Sequence, residues 1–163
     1  MDTYFKALKQ ILEEKDEITF LSGAGLSTSA GLPDFRSDEN GFWKSNSPVH
    51  FRDFLSSKEY RMKSWQNNIA IHKKLENIKP TKMHILVNKV IHRGTSNFHI
   101  TQNIDGLHRD EAKEKNIIEL HGSIFKAKCL NCGAKYDTLE YFDNLELDTC
   151  LLYTSDAADE TCR

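Results

Sequence analysis

The stretch Gly23-Ala24-Gly25-Leu26-Ser27-Thr28-Ser29-Ala30-Gly31-Leu32-Pro33-Asp34-Phe35-Arg36 constrains this chain more than any other. An apolar, strand-like segment, Ile18 to Leu21, leads into it, so the glycines sit where a strand of an α/β sheet hands over to a helix. Two glycines one residue apart let the backbone turn tightly and approach a pyrophosphate, whose charge a following helix N-terminus favours. Ser27, Thr28 and Ser29 add hydroxyl donors at the same place. The full dinucleotide fingerprint carries a third glycine where this chain has Thr28. Gly-x-Gly alone is better read as a plain tight turn; the longer run ending in Pro-Asp-Phe-Arg says more.

The rest of the chain alternates in the same manner. Phe5, Leu8, Ile11 and Leu12 share one helical face, and Glu17 to Ser22 reads as the first strand. Residues 37–57 lack clear periodicity and read as a loop with short helical pieces. A helix is predicted over Lys58 to Asn77, with Tyr60, Trp65, Ile69 and Leu75 among its buried candidates, and another over Lys82 to His92, closed by Gly94. Asn97 to Thr101 and Ile117 to Leu120 read as strands. Strands alternating with helices predict a parallel, doubly wound sheet whose ligands gather at the carboxyl ends of the strands. No internal repeat is visible.

Four segments in order, namely the glycine run, Thr101-Gln102-Asn103-Ile104-Asp105-Gly106-Leu107-His108, Glu119-Leu120-His121-Gly122-Ser123 and Cys129-Leu130-Asn131-Cys132-Gly133, resemble the signatures of the sirtuin family of NAD-dependent protein deacylases. The resemblance covers roughly residues 1–145. It implies an α/β fold, a partial doubly wound parallel (Rossmann-like) sheet with the first half of a small zinc-binding lobe beginning near residue 124. It also implies that residues 1–149 are part of a catalytic domain whose later portion is missing here. The segment Pro48 to Leu55, running on to Trp65, looks somewhat like the class II branch of the family.

His121, at a strand end in Leu-His-Gly, suits a general base, because an imidazole titrates near neutrality and can take a proton from a ribose hydroxyl. An arbitrary histidine would more often be a surface residue; the register with the other motifs favours the catalytic reading. Asn103 and Asp105 lie two apart and on a strand extension point the same way, so they could position ribose hydroxyls and the nicotinamide carboxamide. A turn cap is the alternative. The resemblance places Gln102 and Asn103 on the nicotinamide ribose and Ile104 and Asp105 around the nicotinamide. Gly23, Ala24, Gly25, Ser27 and Thr28 are the remaining expected NAD contacts, with Phe35 to shield a cationic sugar intermediate and Arg36 for a phosphate or for anchoring the loop. Phe35 suits core packing equally well from its pattern alone. His108 reads as structural or loop-positioning, and Trp43 and Trp65 as packing residues.

Cys129 and Cys132 have zinc-knuckle spacing, which lets two thiolates grip one tetrahedral ion; a redox pair or two buried cysteines are the alternatives. In the family the zinc is structural. From Cys150 the text changes character, with neither helical nor alternating periodicity, and it resembles the conceptual translation of a transposon-type sequencing adapter. Residues 150–163 are therefore expected to be a non-native tail. Cys150 falls at a plausible distance from Cys132 for a second zinc half-site, but no Cys-x-x-Cys pair follows.

The full activity implied by the resemblance is transfer of an acyl group from lysine to the ADP-ribose of NAD, with nicotinamide released and an acyl-lysine protein as partner. The truncated chain itself is expected to be inactive. ADP-ribosyl transfer or NAD hydrolysis on the same site, or a non-catalytic NAD or ADP-ribose binding module, are the rivals. A net charge of −2, from 22 basic and 24 acidic residues spread along the chain, points to no nucleic-acid partner. No apolar run approaches the roughly 20 residues of a membrane span. Four cysteines without a disulfide pattern and no apolar N-terminal signal suggest the cytoplasm.

Overall fold

A computed structural model describes residues 2–32, 47–94, 96–109, 111–141 and 152–153. Phe35, Arg36, Trp43 and Cys150 lie outside the described residues. The chain begins with helix α1 (Asp2–Glu14), strand β1 (Thr19–Ser22) and a single helical turn, α2 (Gly25–Thr28). Three helices follow: α3 (Phe51–Ser56), α4 (Lys58–Leu75) and α5 (Lys82–Arg93). Then come β2 (Phe98–Thr101), β3 (Ile117–Glu119), β4 (Lys126–Cys129), β5 (Lys135–Asp137) and β6 (Leu152–Tyr153).

The first three strands form one parallel sheet in the order β1-β2-β3. Its register pairs Ser22 with Thr101 and Thr101 with Glu119. The three strands therefore end on one line, as the alternation of the sequence predicts. A second, antiparallel sheet has the order β5-β4-β6. There Leu152 and Tyr153, which the sequence offers no reason to place in a sheet, pair with Cys129 and Lys128.

Helix α5 is built by its sequence at both levels. Thr81 caps it: its hydroxyl accepts the His84 N–H at 3.3 Å, while His84 Nδ1 accepts the Thr81 N–H at 3.1 Å. Two backbone donors that a helix start leaves unpaired are satisfied by this exchange. His84, Val87, Val90 and Ile91 then fall on one face and are buried. Asn97 locks the return to the sheet, donating to Val90 O at 2.7 Å and accepting the Ile18 N–H at 2.8 Å.

Ile71 and Leu75 of α4 pack with Leu32 and Ile124, joining the helix to the start of the second sheet. His72, on the same helix, bonds Ile124 O at 3.1 Å and Thr138 Oγ1 at 3.3 Å. Trp65 is half-buried against Ala127 and Cys129, so it packs as expected. Tyr60 does not: it lies in the first turn of α4, at the edge of the packed region, and is 43% exposed. The apolar face of α1 is also outside the core, with Phe5 68% exposed. Among the described residues, the helix is held to the sheet region by Arg93, which donates to Leu12 O and Lys15 O.

Candidate functional site

The strand-end register brings the polar motifs to one edge of the sheet. Two residues past Ser22, Thr101 and Glu119 stand Ala24, Asn103 and His121, respectively. β2 ends at Thr101, so Asn103 and Asp105 do not lie on a strand extension as their spacing suggested. They converge nevertheless, on the hydroxyl of Ser27. Asn103 Nδ2 donates to Ser27 Oγ at 3.2 Å, and Ser27 Oγ donates to Asp105 Oδ2 at 2.7 Å. Asn103, Asp105 and Ser27 are all buried, as is Ile104 between the two motif residues. The Ser27 hydroxyl is thus spent inside the protein, whereas Thr28 is exposed and bonds Gly25 O.

Asp105 is held as a carboxylate from several sides. Burial opposes its charge, but His108, the Ser27 hydroxyl and the Leu107 N–H outweigh that and keep its pKa below the ordinary value. The Leu107 N–H donates to Oδ1 at 3.0 Å, closing an Asx turn. Gln102 is exposed; its N–H donates to Ser22 O at 3.0 Å and stitches the motif to β1.

His121 follows β3 in a turn completed by Gly122, whose φ of +70° suits a residue without Cβ. Its ring is half-buried and makes no hydrogen bond among the described residues. Gly23 and Gly25 take no positive φ, and a Cβ on either would meet, beyond its chain neighbours, nothing within 4 Å among the described residues. Nothing within the described residues requires glycine there. The helix after this loop is one turn long, so the expected contribution of a helix dipole shrinks to a few backbone groups.

Several site residues have no role in the sequence reading. His84 Nε2 lies 3.5 Å from Ser27 Oγ, and because Nδ1 accepts from Thr81 the proton belongs on Nε2. His99 Nε2 bonds Ser22 Oγ at 2.7 Å, and Ser22 in turn donates to Thr101 Oγ1 at 2.9 Å. The Thr81-x-x-His84 spacing of a helix start and the period-two His99/Thr101 pair on β2 are the signals that could have found them. Glu119 accepts from His108 at 3.0 Å and from Arg109 Nε at 3.3 Å, and Arg109 also donates to Ser123. An open cleft of about 630 Å³ borders this network, lined by Arg109, Glu119 and Ser123 together with Lys128, Lys135 and Tyr136.

The Cys129–Cys132 turn has features that suit a metal. Gly133 N–H donates to Cys129 O at 2.8 Å, and Cys132 N–H points at Cys129 Sγ at 3.5 Å, a contact that would stabilise a thiolate. Cys129 is buried and Cys132 exposed. Among the described residues no group of three His, Cys, Asp or Glu side chains could hold a metal ion. The pair fits half of a tetrahedral zinc shell.

A parallel sheet flanked by helices, with its polar residues at the carboxyl ends of the strands, defines a Rossmann-like α/β protein. The model of the Sir2 family matches residues 23–156, and this chain belongs to that family. The NAD-dependent protein deacetylase of Sulfolobus acidocaldarius is 39% identical over 145 residues, 86% of this chain and 54% of that protein. NAD-dependent protein deacetylase 2 of Bradyrhizobium diazoefficiens is 30% identical over 154 residues, 94% of this chain and 56% of its own length. A solved Sir2 complex with a p53 peptide and NAD+ superposes with a TM-score of 0.68 at 30% identity, covering 88% of this chain and 56% of that one. This chain therefore spans about half the length of these relatives.

Proposed function

We propose that this site belongs to an NAD-dependent protein lysine deacylase, of which residues 1–149 are part of the catalytic domain and residues 150–163 are not. The observation that carries the reading is the shared register line: Ser27 hydrogen-bonds Asn103 and Asp105 just past the carboxyl end of β2, and His121 follows the carboxyl end of the adjacent strand β3. NAD is consumed as a substrate. The open space over Gly23 and Gly25 admits its pyrophosphate, while Asn103 and Asp105, fixed on Ser27, orient the nicotinamide ribose and the carboxamide. The carbonyl oxygen of an acyl-lysine attacks C1′ of that ribose as nicotinamide leaves. His121 then takes the proton of a ribose hydroxyl, which attacks the acyl-derived carbon. The lysine amine, protonated, leaves that carbon, a water adds in its place, and the bond from the carbon to the C1′ oxygen opens. Free lysine is released and the acyl group ends as an ester on ADP-ribose. Gln102, Ile104, Thr28, Phe35 and Arg36 complete the NAD contacts. Zinc, held by Cys129 and Cys132 with two ligands from elsewhere, supports the small lobe and takes no part in the reaction. The cytoplasm and the class II branch fit the composition and the Pro48–Leu55 segment.

The test is His121→Ala in the full-length protein. NAD affinity should stay nearly intact, while deacylation of an acetyl-lysine peptide falls by the ~10²–10⁴ of a lost general base. Turnover close to wild type would remove His121 from this role. Following carbon label from the ADP-ribose part of NAD separates the outcomes: label on the released acyl product means deacylation. Label on protein means ADP-ribosyl transfer, and label as free ADP-ribose means hydrolysis.

A further inference from the structure

His108 lies at the centre of the polar network, and its ring is fully buried. Nε2 meets Glu119 Oε1 at 3.0 Å, and Nδ1 lies 3.8 Å from Asp105 Oδ1 with no hydrogen-bond partner of its own. A neutral imidazole carries one N–H and one lone pair. With the proton on Nε2, the Nδ1 lone pair faces the Asp105 carboxylate; with it on Nδ1, the other lone pair faces Glu119. Only the imidazolium presents a donor to both. We propose that His108 is a positioning residue of the nicotinamide site, a cationic bridge that fixes the Asp105 carboxylate on Ser27 and ties it through Glu119 to the strand end leading into His121.

The neighbouring groups agree with one charge at this position. His99 stacks edge-on to His108, with ring centroids 5.7 Å apart, and His84 is linked to it electrostatically. Burial keeps both His99 and His84 below the ordinary histidine value. His108, also penalised by burial, is raised because Asp105 and Glu119 face it. Arg109 Nε pairs with the same Glu119 oxygen, Oε1, at 3.3 Å, so that oxygen is shared between two cations. A second positive imidazole in the cluster would be repelled, so the one flanked by carboxylates takes the proton.

This inference rests on the reading of Asp105 as a nicotinamide-site residue only for its effect on NAD; the bridge itself is tested without ligand. In the 163-residue chain with labelled histidines, NMR should show His108 titrating above 6.5 and, in Glu119→Gln, at lower pH. The Leu107 amide, which donates to the same Asp105 oxygen, should shift with the same midpoint. His108 titrating at or below 6.5, or a Leu107 amide indifferent to it, would overturn the bridge. In the full-length protein, NAD affinity should fall roughly fivefold or more as pH rises through that midpoint. In His108→Gln it should be flat with pH. A flat wild-type profile across a His108 titration would overturn the positioning role. Absence of NAD binding at every pH, with His108 and Leu107 titrating together as expected, supports the bridge and sinks the deacylase reading instead.

Discussion

At the scale of single residues, the site is a set of buried hydrogen bonds whose directions are fixed by proton counting. Ser27 can donate once, and it donates to Asp105; Asn103 and His84 must then donate to it. His99 shows what such burial does to acid tolerance. Burial first, with the His108 and His84 imidazoles adding to it, pushes its pKa down to about 4. The folded protein therefore prefers His99 neutral, while the unfolded chain binds the proton near 6.5. The stability from this preference is complete above pH 6.5 and is lost as pH falls toward 4, on the order of 3 kcal/mol in all. His108, with its raised pKa, works in the opposite window: its contribution is present at low pH and fades as pH rises through the folded value. Urea unfolding at pH 7 and pH 4.5 should show a markedly smaller loss for His99→Gln than for wild type. Equal losses would mean that His99 is not the group responsible.

Among the elements, the turn after β2 is the most demanding piece of backbone. Gly106 takes φ +70°, and a Cβ there would lie 2.5 Å from Phe125 Cε2. The Phe125 ring is not free to yield, because it meets His72 edge-on at 4.8 Å and carries the Arg109 guanidinium 5.1 Å above its centre. Gly106→Ala should cost about 1–3 kcal/mol from backbone strain, with the clash in addition. A loss under half a kcal/mol in chemical unfolding would show that the turn relaxes more easily than its packing suggests. The cysteine turn makes a second prediction. The full-length protein should hold about one zinc per chain, abolished by Cys129→Ser, whereas the 163-residue chain should bind zinc weakly, because two thiolates leave half the shell to water. Tight stoichiometric zinc in the short chain, lost on mutating Cys150, would show that residues 150–163 are native to the site.

For the whole molecule, β1 is paired on one side only among the described residues, and its Leu21 is 70% exposed. A doubly wound site is made by two halves meeting across a crevice. One half is described here, with the glycine loop, the Asn103–Asp105 turn and His121, and no second wall faces them among the described residues. We expect the 163-residue chain to release no nicotinamide in the presence of an acetyl-lysine peptide and to bind NAD weakly or not at all. Robust nicotinamide release abolished by His121→Ala would refute this. No helix among the described residues is long and apolar enough to cross a membrane.

Local chemistry made much of this legible in advance. Strand periodicity and the glycine run placed β1, β2 and β3, helical spacing placed α4 and α5, and the Cys-x-x-Cys-Gly spacing marked a turn, because each of these signals lies within a few neighbouring residues. Other features depend on residues far apart in the chain. That Ser27 would hold Asp105, 78 positions further along the chain, follows from the parallel register of β1 and β2. That His108 would stand between two carboxylates follows from the pairing of β2 with β3, which brings Glu119 back to it. The helical face of α1 is plain in its spacing, yet Phe5, Leu8 and Ile11 on it stay exposed. Spacing can say which residues share a face, but only the packing of the chain decides what that face meets.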